Sequence, residues 1–103
     1  LSKNLGNALE NMVFIMLNQK FEELYYLKDG VEIDFFSHDT YYQVSYDISE
    51  EKTRKRELSA FEYFKSENKA KNILVTYNTN EDIENINIVS IEKFIFHTSK
   101  ENA

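Results

Sequence analysis

Val31-Glu-Ile-Asp-Phe-Phe-Ser-His-Asp-Thr-Tyr-Tyr-Gln-Val-Ser-Tyr-Asp47 reads as two neighbouring β-strands, Val31–Phe36 and Tyr41–Ile48, joined by the polar turn Ser37-His38-Asp39-Thr40. Side chains alternate along a strand, so Ile33 and Phe35 are expected on one face of the first strand and Glu32 and Asp34 on the other. By the same rule Val44, Tyr46 and Ile48 oppose Gln43, Ser45 and Asp47 in the second. Asp34 and Gln43 are therefore expected to converge on one side of a sheet whose other side is apolar.

Before this stretch, Phe21–Lys28 reads as a further strand. Asp29-Gly30 follows it as a type I′ hairpin signal, which needs positive φ at both central residues. The three strands predict an antiparallel meander. Upstream, a helix is expected from Lys3 to Gln19 with Ser2 as its N-cap. Its core stripe reads as Leu5, Leu9, Met12 and Met16, widened by Ala8, Val13 and Leu17. Asn4, Asn7, Asn11 and Asn18 gather on the opposite side, and Glu10 falls on the border beside Val13 and Leu17.

Beyond Asp47, Ser49 is placed to cap a second helix, with Glu50 and Glu51 complementing the dipole of its first turn. Leu58, Phe61 and Phe64 give this helix an apolar face, and Lys52, Arg54, Lys55 and Arg56 cluster near its start. Asn72–Tyr77, with the run Ile73-Leu74-Val75, reads as a strand covered on both faces, as parallel strands are. Strand, helix and strand predict one right-handed crossover. Asn78–Asn85 reads as a polar loop and Ile86–Val89 as a short last strand. Ser90 is placed to cap a final helix carrying Ile91, Phe94 and Ile95. The order α-β-β-β-α-β-β-α predicts the α/β class, a mixed central sheet flanked by helices.

Composition agrees with one domain spanning 1–103. Hydrophobic residues make up 42% of the chain, including eight Phe and seven Tyr, which is ample for a core. No Pro and only two Gly argue against a linker. No apolar run approaches the roughly 20 residues of a membrane span, and no secretory signal is seen. Without cysteine there is neither a disulfide framework nor a thiolate metal site, which favours a cytoplasmic location. Twelve basic against 18 acidic residues give a net charge of −6, which counts against a self-sufficient DNA binder. A local basic patch can still act against that balance. The chain begins at Leu1 and a helix starts at once, so it reads as a fragment of a longer protein.

Leu9-Glu10-Asn11 on the first helix, Glu32-Ile33-Asp34-Phe35 on the second strand and Tyr42-Gln43-Val44-Ser45-Tyr46 on the third, in this order of elements, resemble the PD-(D/E)XK nuclease superfamily. Within it they look like the C-terminal domain of many prokaryotic AAA-type ATPases, which is similar to archaeal Holliday junction resolvases. The resemblance covers nearly the whole chain and implies a restriction-endonuclease-like fold, an upstream ATPase domain as partner, and DNA as a possible ligand. In active members the aspartate and an acidic residue of the third strand hold Mg²⁺ or Mn²⁺, the helix glutamate assists, and a lysine two residues further on activates water. Oxygen ligands suit such ions, and the ion offsets charge on the phosphate being cleaved.

Carried onto this chain, Glu10 and Asp34 match and become the metal-ligand candidates. Gln43 departs from the acidic ligand and Ser45 from the lysine, so the resemblance implies a degenerate motif at these two catalytic positions. Glu32 is an extra ligand candidate or an exposed charge. Lys52, Arg54, Lys55 and Arg56 are the candidates for phosphate contact, or else a solvated helix face partly paired with Glu50, Glu51 and Glu57. His38 and His97 build no metal or acid–base motif. Tyr25, Tyr26, Tyr41, Tyr42 and Tyr46 either stack on bases or pack. The expected function is a catalytically inactive nuclease-like accessory domain that binds DNA, a protein or another copy of itself. The alternatives are an active metal-dependent endonuclease with a rearranged site, and a self-association or protein-interaction module with no nucleic-acid role.

Overall fold

The computed structural model describes residues 2–64 and 70–101. Helix α1 (Ser2–Lys20) is followed by β1 (Tyr25–Lys28), β2 (Glu32–Ser37) and β3 (Thr40–Val44). Then come α2 (Glu51–Tyr63), β4 (Lys71–Thr76), β5 (Glu81–Ile83), β6 (Ile86–Ser90) and α3 (Ile91–Glu101). The strands form one mixed sheet of order β1-β2-β3-β4-β6-β5. β1, β2 and β3 make the expected antiparallel meander, β3, β4 and β6 run parallel, and β5 returns antiparallel on the far edge. The α/β class and the flanking helices stand as read from the chain. β5 is additional, lying within the stretch 78–85 that reads as a loop.

Each face of the sheet has its own core. Ile33, Tyr41, Leu74 and Ile88 pack with Ala60 and Phe61 of α2 on one face. On the other, Tyr42, Val75 and Val89 pack with Val13 and Leu17 of α1 and Phe94 of α3. Leu74 and Val75 are fully buried on opposite faces, as expected for a strand with a helix layer on each side. Within the meander β3 likewise buries Tyr41 and Tyr42 on opposite faces, so both sides of the sheet are apolar there, whereas the chain predicts one polar side; the edge strand β1 stays largely exposed.

Several local expectations change. α1 buries Leu9, Val13 and Leu17, whereas Leu5 and Met12 are 40% and 46% exposed; the buried stripe is rotated toward the side on which Glu10 lies. The Ser2 side chain, the expected first cap, lies outside the described residues. The β1–β2 connection spans Asp29 to Val31, because Lys28 pairs with Glu32. Only Gly30 has positive φ there, at 73°, so the turn is not type I′. β3 ends at Val44, which leaves Ser45, Tyr46 and Ile48 beyond the strand. Glu50, not Ser49, is the N-cap of α2 and makes no side-chain cap bond. Ser90 caps α3 as expected, its Oγ accepting from Lys93 N at 3.2 Å.

Candidate functional site

β2 carries one more residue than β1 can match. Tyr25 pairs with Phe36 and Leu27 with Ile33, so two steps on β1 face three on β2, a bulge that redirects side chains. In a regular strand Ile33 and Phe35 would share a face. Here Ile33 belongs to the α2-side core and Phe35 to the α1 and α3 side. Asp34 sits at this irregularity, where the β2–β3 ladder stops after Phe35–Tyr42.

Side chains replace the missing rungs. Asp34 N donates to Gln43 Oε1 at 2.8 Å, and Val44 N donates to Asp34 Oδ2 at 2.8 Å. Gln43 Nε2 then donates to Glu57 Oε2 at 3.1 Å, tying β3 to α2. The Glu10 carboxyl reaches Asp34 from α1 within hydrogen-bonding range. Glu10, Asp34, Gln43 and Glu57 thus form a chain of polar contacts joining α1, β2, β3 and α2 at the opening between two strands.

Burial sets the electrostatics. It is the main reason the Asp34 carboxyl is pushed up to about 8, with the hydrogen bond to Glu10 second and the Val44 N–H acting in the opposite direction. Burial also raises Glu57, against the lowering effect of neighbouring Arg56. Arg56 Nη2 lies 3.4 Å from Glu57 Oε1 but is itself 70% exposed, so the cation stands at the rim. Near neutral pH the Asp34 carboxyl therefore keeps its proton.

Of the residues singled out from the sequence, Glu10, Asp34 and Gln43 come together. Gln43 is 3% exposed and fully engaged, not an outward strand position. Ser45 lies past the end of β3, with its N–H given to Val75 O at 2.9 Å. Glu32 is an exposed residue that pairs with Lys28 at 3.5 Å. Glu57 is the member that sequence reading missed. The buried pair Ala60 and Phe61 lies three and four residues further on, so extending that stripe back one turn reaches Glu57. In sequence it passes for an ion-pair partner of the adjoining basic cluster.

The metal that the nuclease resemblance implies does not fit this donor set. Gln43 offers its carbonyl oxygen to Asp34 N, Asp34 offers Oδ2 to Val44 N, and the carboxyls lean on one another. Among the described residues, no three Asp, Glu, His or Cys side chains group closely enough to hold an ion.

The basic cluster is also partly committed. Arg54 makes a two-pronged contact with Glu81 at 2.7 and 3.3 Å, and Arg56 faces Glu57; Lys52 and Lys55 are exposed. A shallow groove of about 480 Å³ along α2, lined by Glu51, Arg54, Lys55, Leu58, Ser59 and Glu62, mixes both signs of charge and shares no residue with the Asp34 cluster. Tyr41 and Tyr42 are buried, which removes them as base-stacking surfaces. Tyr46 is stacked on Tyr77, with centroids 4.8 Å apart. Among the described residues no helix is long and apolar enough to cross a membrane.

Comparison of the chain with protein-family models, curated proteins and solved structures finds no match in any of the three.

Proposed function

We propose that this chain is a degenerate nuclease-like module, the accessory domain of an ATP-binding protein, and that it works by binding DNA or protein without cutting phosphodiesters. The support is one observation: both ends of the Gln43 amide are spent inside the fold, on Asp34 N and on Glu57. At the position where the resembled enzymes carry an acidic metal ligand, this chain carries a structural clasp. Ser45 brings no positive charge, and Arg56 is held at the rim by Glu57.

The test is a cleavage assay on branched, duplex and single-stranded DNA with Mg²⁺ and Mn²⁺. No cutting is expected with either ion. Metal-dependent cutting that disappears in both Asp34→Ala and Glu10→Gln would overturn this reading. It would establish instead the alternative of an active metal-dependent endonuclease with a rearranged site built on Glu10 and Asp34.

A further inference from the structure

We infer that the outer face of α1 is the seam of a homodimer, two copies of the chain pairing their first helices antiparallel about a twofold axis beside Asn11. α1 carries two apolar stripes. Leu9, Val13 and Leu17 are buried against the sheet. Leu5, Ala8, Met12 and Ile15 form the second stripe and are all exposed, Leu5 by 40%, Met12 by 46% and Ile15 by 48%. Their alternating steps of three and four are those of the a and d positions of a heptad, the spacing with which one helix seats on another.

The flank of this stripe says what covers it. Asn4, Asn11 and Asn18, all exposed, recur every seven residues along one side of it. Lys3, Glu10 and Lys20 are the only charged residues in α1, in a chain that is 29% charged, and Glu10 is turned toward Asp34. A helix face meant for water is normally rich in charge; this one is apolar with a neutral amide border. An amide carries both donors and an acceptor, so Asn pairs with a copy of itself, which a row of lysines or glutamates would not do.

The register selects the antiparallel arrangement. It sets Leu5 against Ile15 of the second copy and Ala8 against Met12, so each small residue meets a large one and the layers have similar volume. On the border, Asn11 meets its own copy and Asn4 meets Asn18. A parallel pair would face Ala8 with Ala8 and leave a void, which is unfavourable.

Light scattering across a concentration series is expected to show a dimer dissociating on dilution. Met12→Lys and Ile15→Glu should each weaken it at least tenfold with the melting temperature of the monomer unchanged, since both side chains are exposed. Because the chain has no cysteine, single cysteines report the register. With a short bis-maleimide, Asn11→Cys should cross-link to itself, whereas Asn4→Cys should do so only when mixed with Asn18→Cys. A strictly monomeric protein overturns the inference, as does a dimer indifferent to Met12→Lys. Self-cross-linking of Asn4→Cys as efficient as that of Asn11→Cys overturns the antiparallel seam.

Discussion

Asp34 holds its place in two ways at once, through its own backbone N–H to Gln43 and through its carboxylate oxygen to Val44 N. That it should meet Glu10 was expected from the nuclease resemblance, since the helix pattern alone placed Glu10 only at the border of an apolar stripe. That Gln43 should be buried and answered by Glu57 was not, because strict alternation on β2 hides the bulge that puts Ile33 and Phe35 on opposite faces. The protonation of Asp34 gives a prediction with a definite sign. Burial pushes its carboxyl up to about 8 from the ordinary aspartate value of 3.8, so the folded state binds a proton more tightly than the unfolded chain. The associated stability is fully present below the unfolded value and is lost as pH rises toward 8, with a slope of at most about 1.4 kcal/mol per pH unit. Glu57, also raised by burial, adds in the same direction. Urea denaturation at a series of pH values should show stability falling from pH 5 to pH 8. Asp34→Asn, which keeps an acceptor for Val44 N and offers Glu10 a permanent donor, should flatten most of that slope. An unaltered slope would assign it elsewhere.

Elements were legible where one residue type fixes one geometry. Ser90 ends β6 and caps α3 as its position predicts, whereas Ser49 is passed over because Asp47 Oδ1 accepts its N–H at 2.8 Å and pulls it into the preceding turn. β5 escaped notice because Glu81-Asp82-Ile83 has the composition of a loop; it pairs only as an edge strand, with Arg54 fastened to Glu81 across from α2. The stripe of α1 was misassigned since Leu5 and Met12 obey helical spacing as well as Leu9 and Val13 do, and periodicity alone does not say which of two apolar stripes faces the sheet. Cap loss tests the element scale. Ser90→Ala removes the acceptor for Lys93 N and should destabilise the protein by about 1 kcal/mol, a fall in melting temperature of roughly 4–8 °C for a domain near this size. Ser90→Asp should restore most of it, as a carboxylate caps equally well.

At the scale of the whole molecule, the α/β class and the meander followed from the alternation of apolar runs with helical stretches. The completed topology needed the sheet itself, because which parallel strand lies beside which is decided by the layers above and below. β3, β4 and β6 each contribute to both layers, and β4 lies between the other two. Leu74 closes the α2-side core and Val75 the opposite one, each fully buried. Leu74→Ala should cost about 2–5 kcal/mol, readable as a lower urea midpoint with an unchanged m-value. A cost under 1 kcal/mol would mean that the core on that face closes over the void.

The strand order β1-β2-β3-β4-β6-β5 nearly repeats the order of translation. As the polypeptide leaves the ribosome, each new strand meets the growing border of what has already emerged, with a single exchange at the end. Until β4 is synthesised, however, that border is β3, with Tyr41, Tyr42 and Gln43 bare on it. The interval between those two syntheses is when a nascent chain of this design most needs shelter from its neighbours.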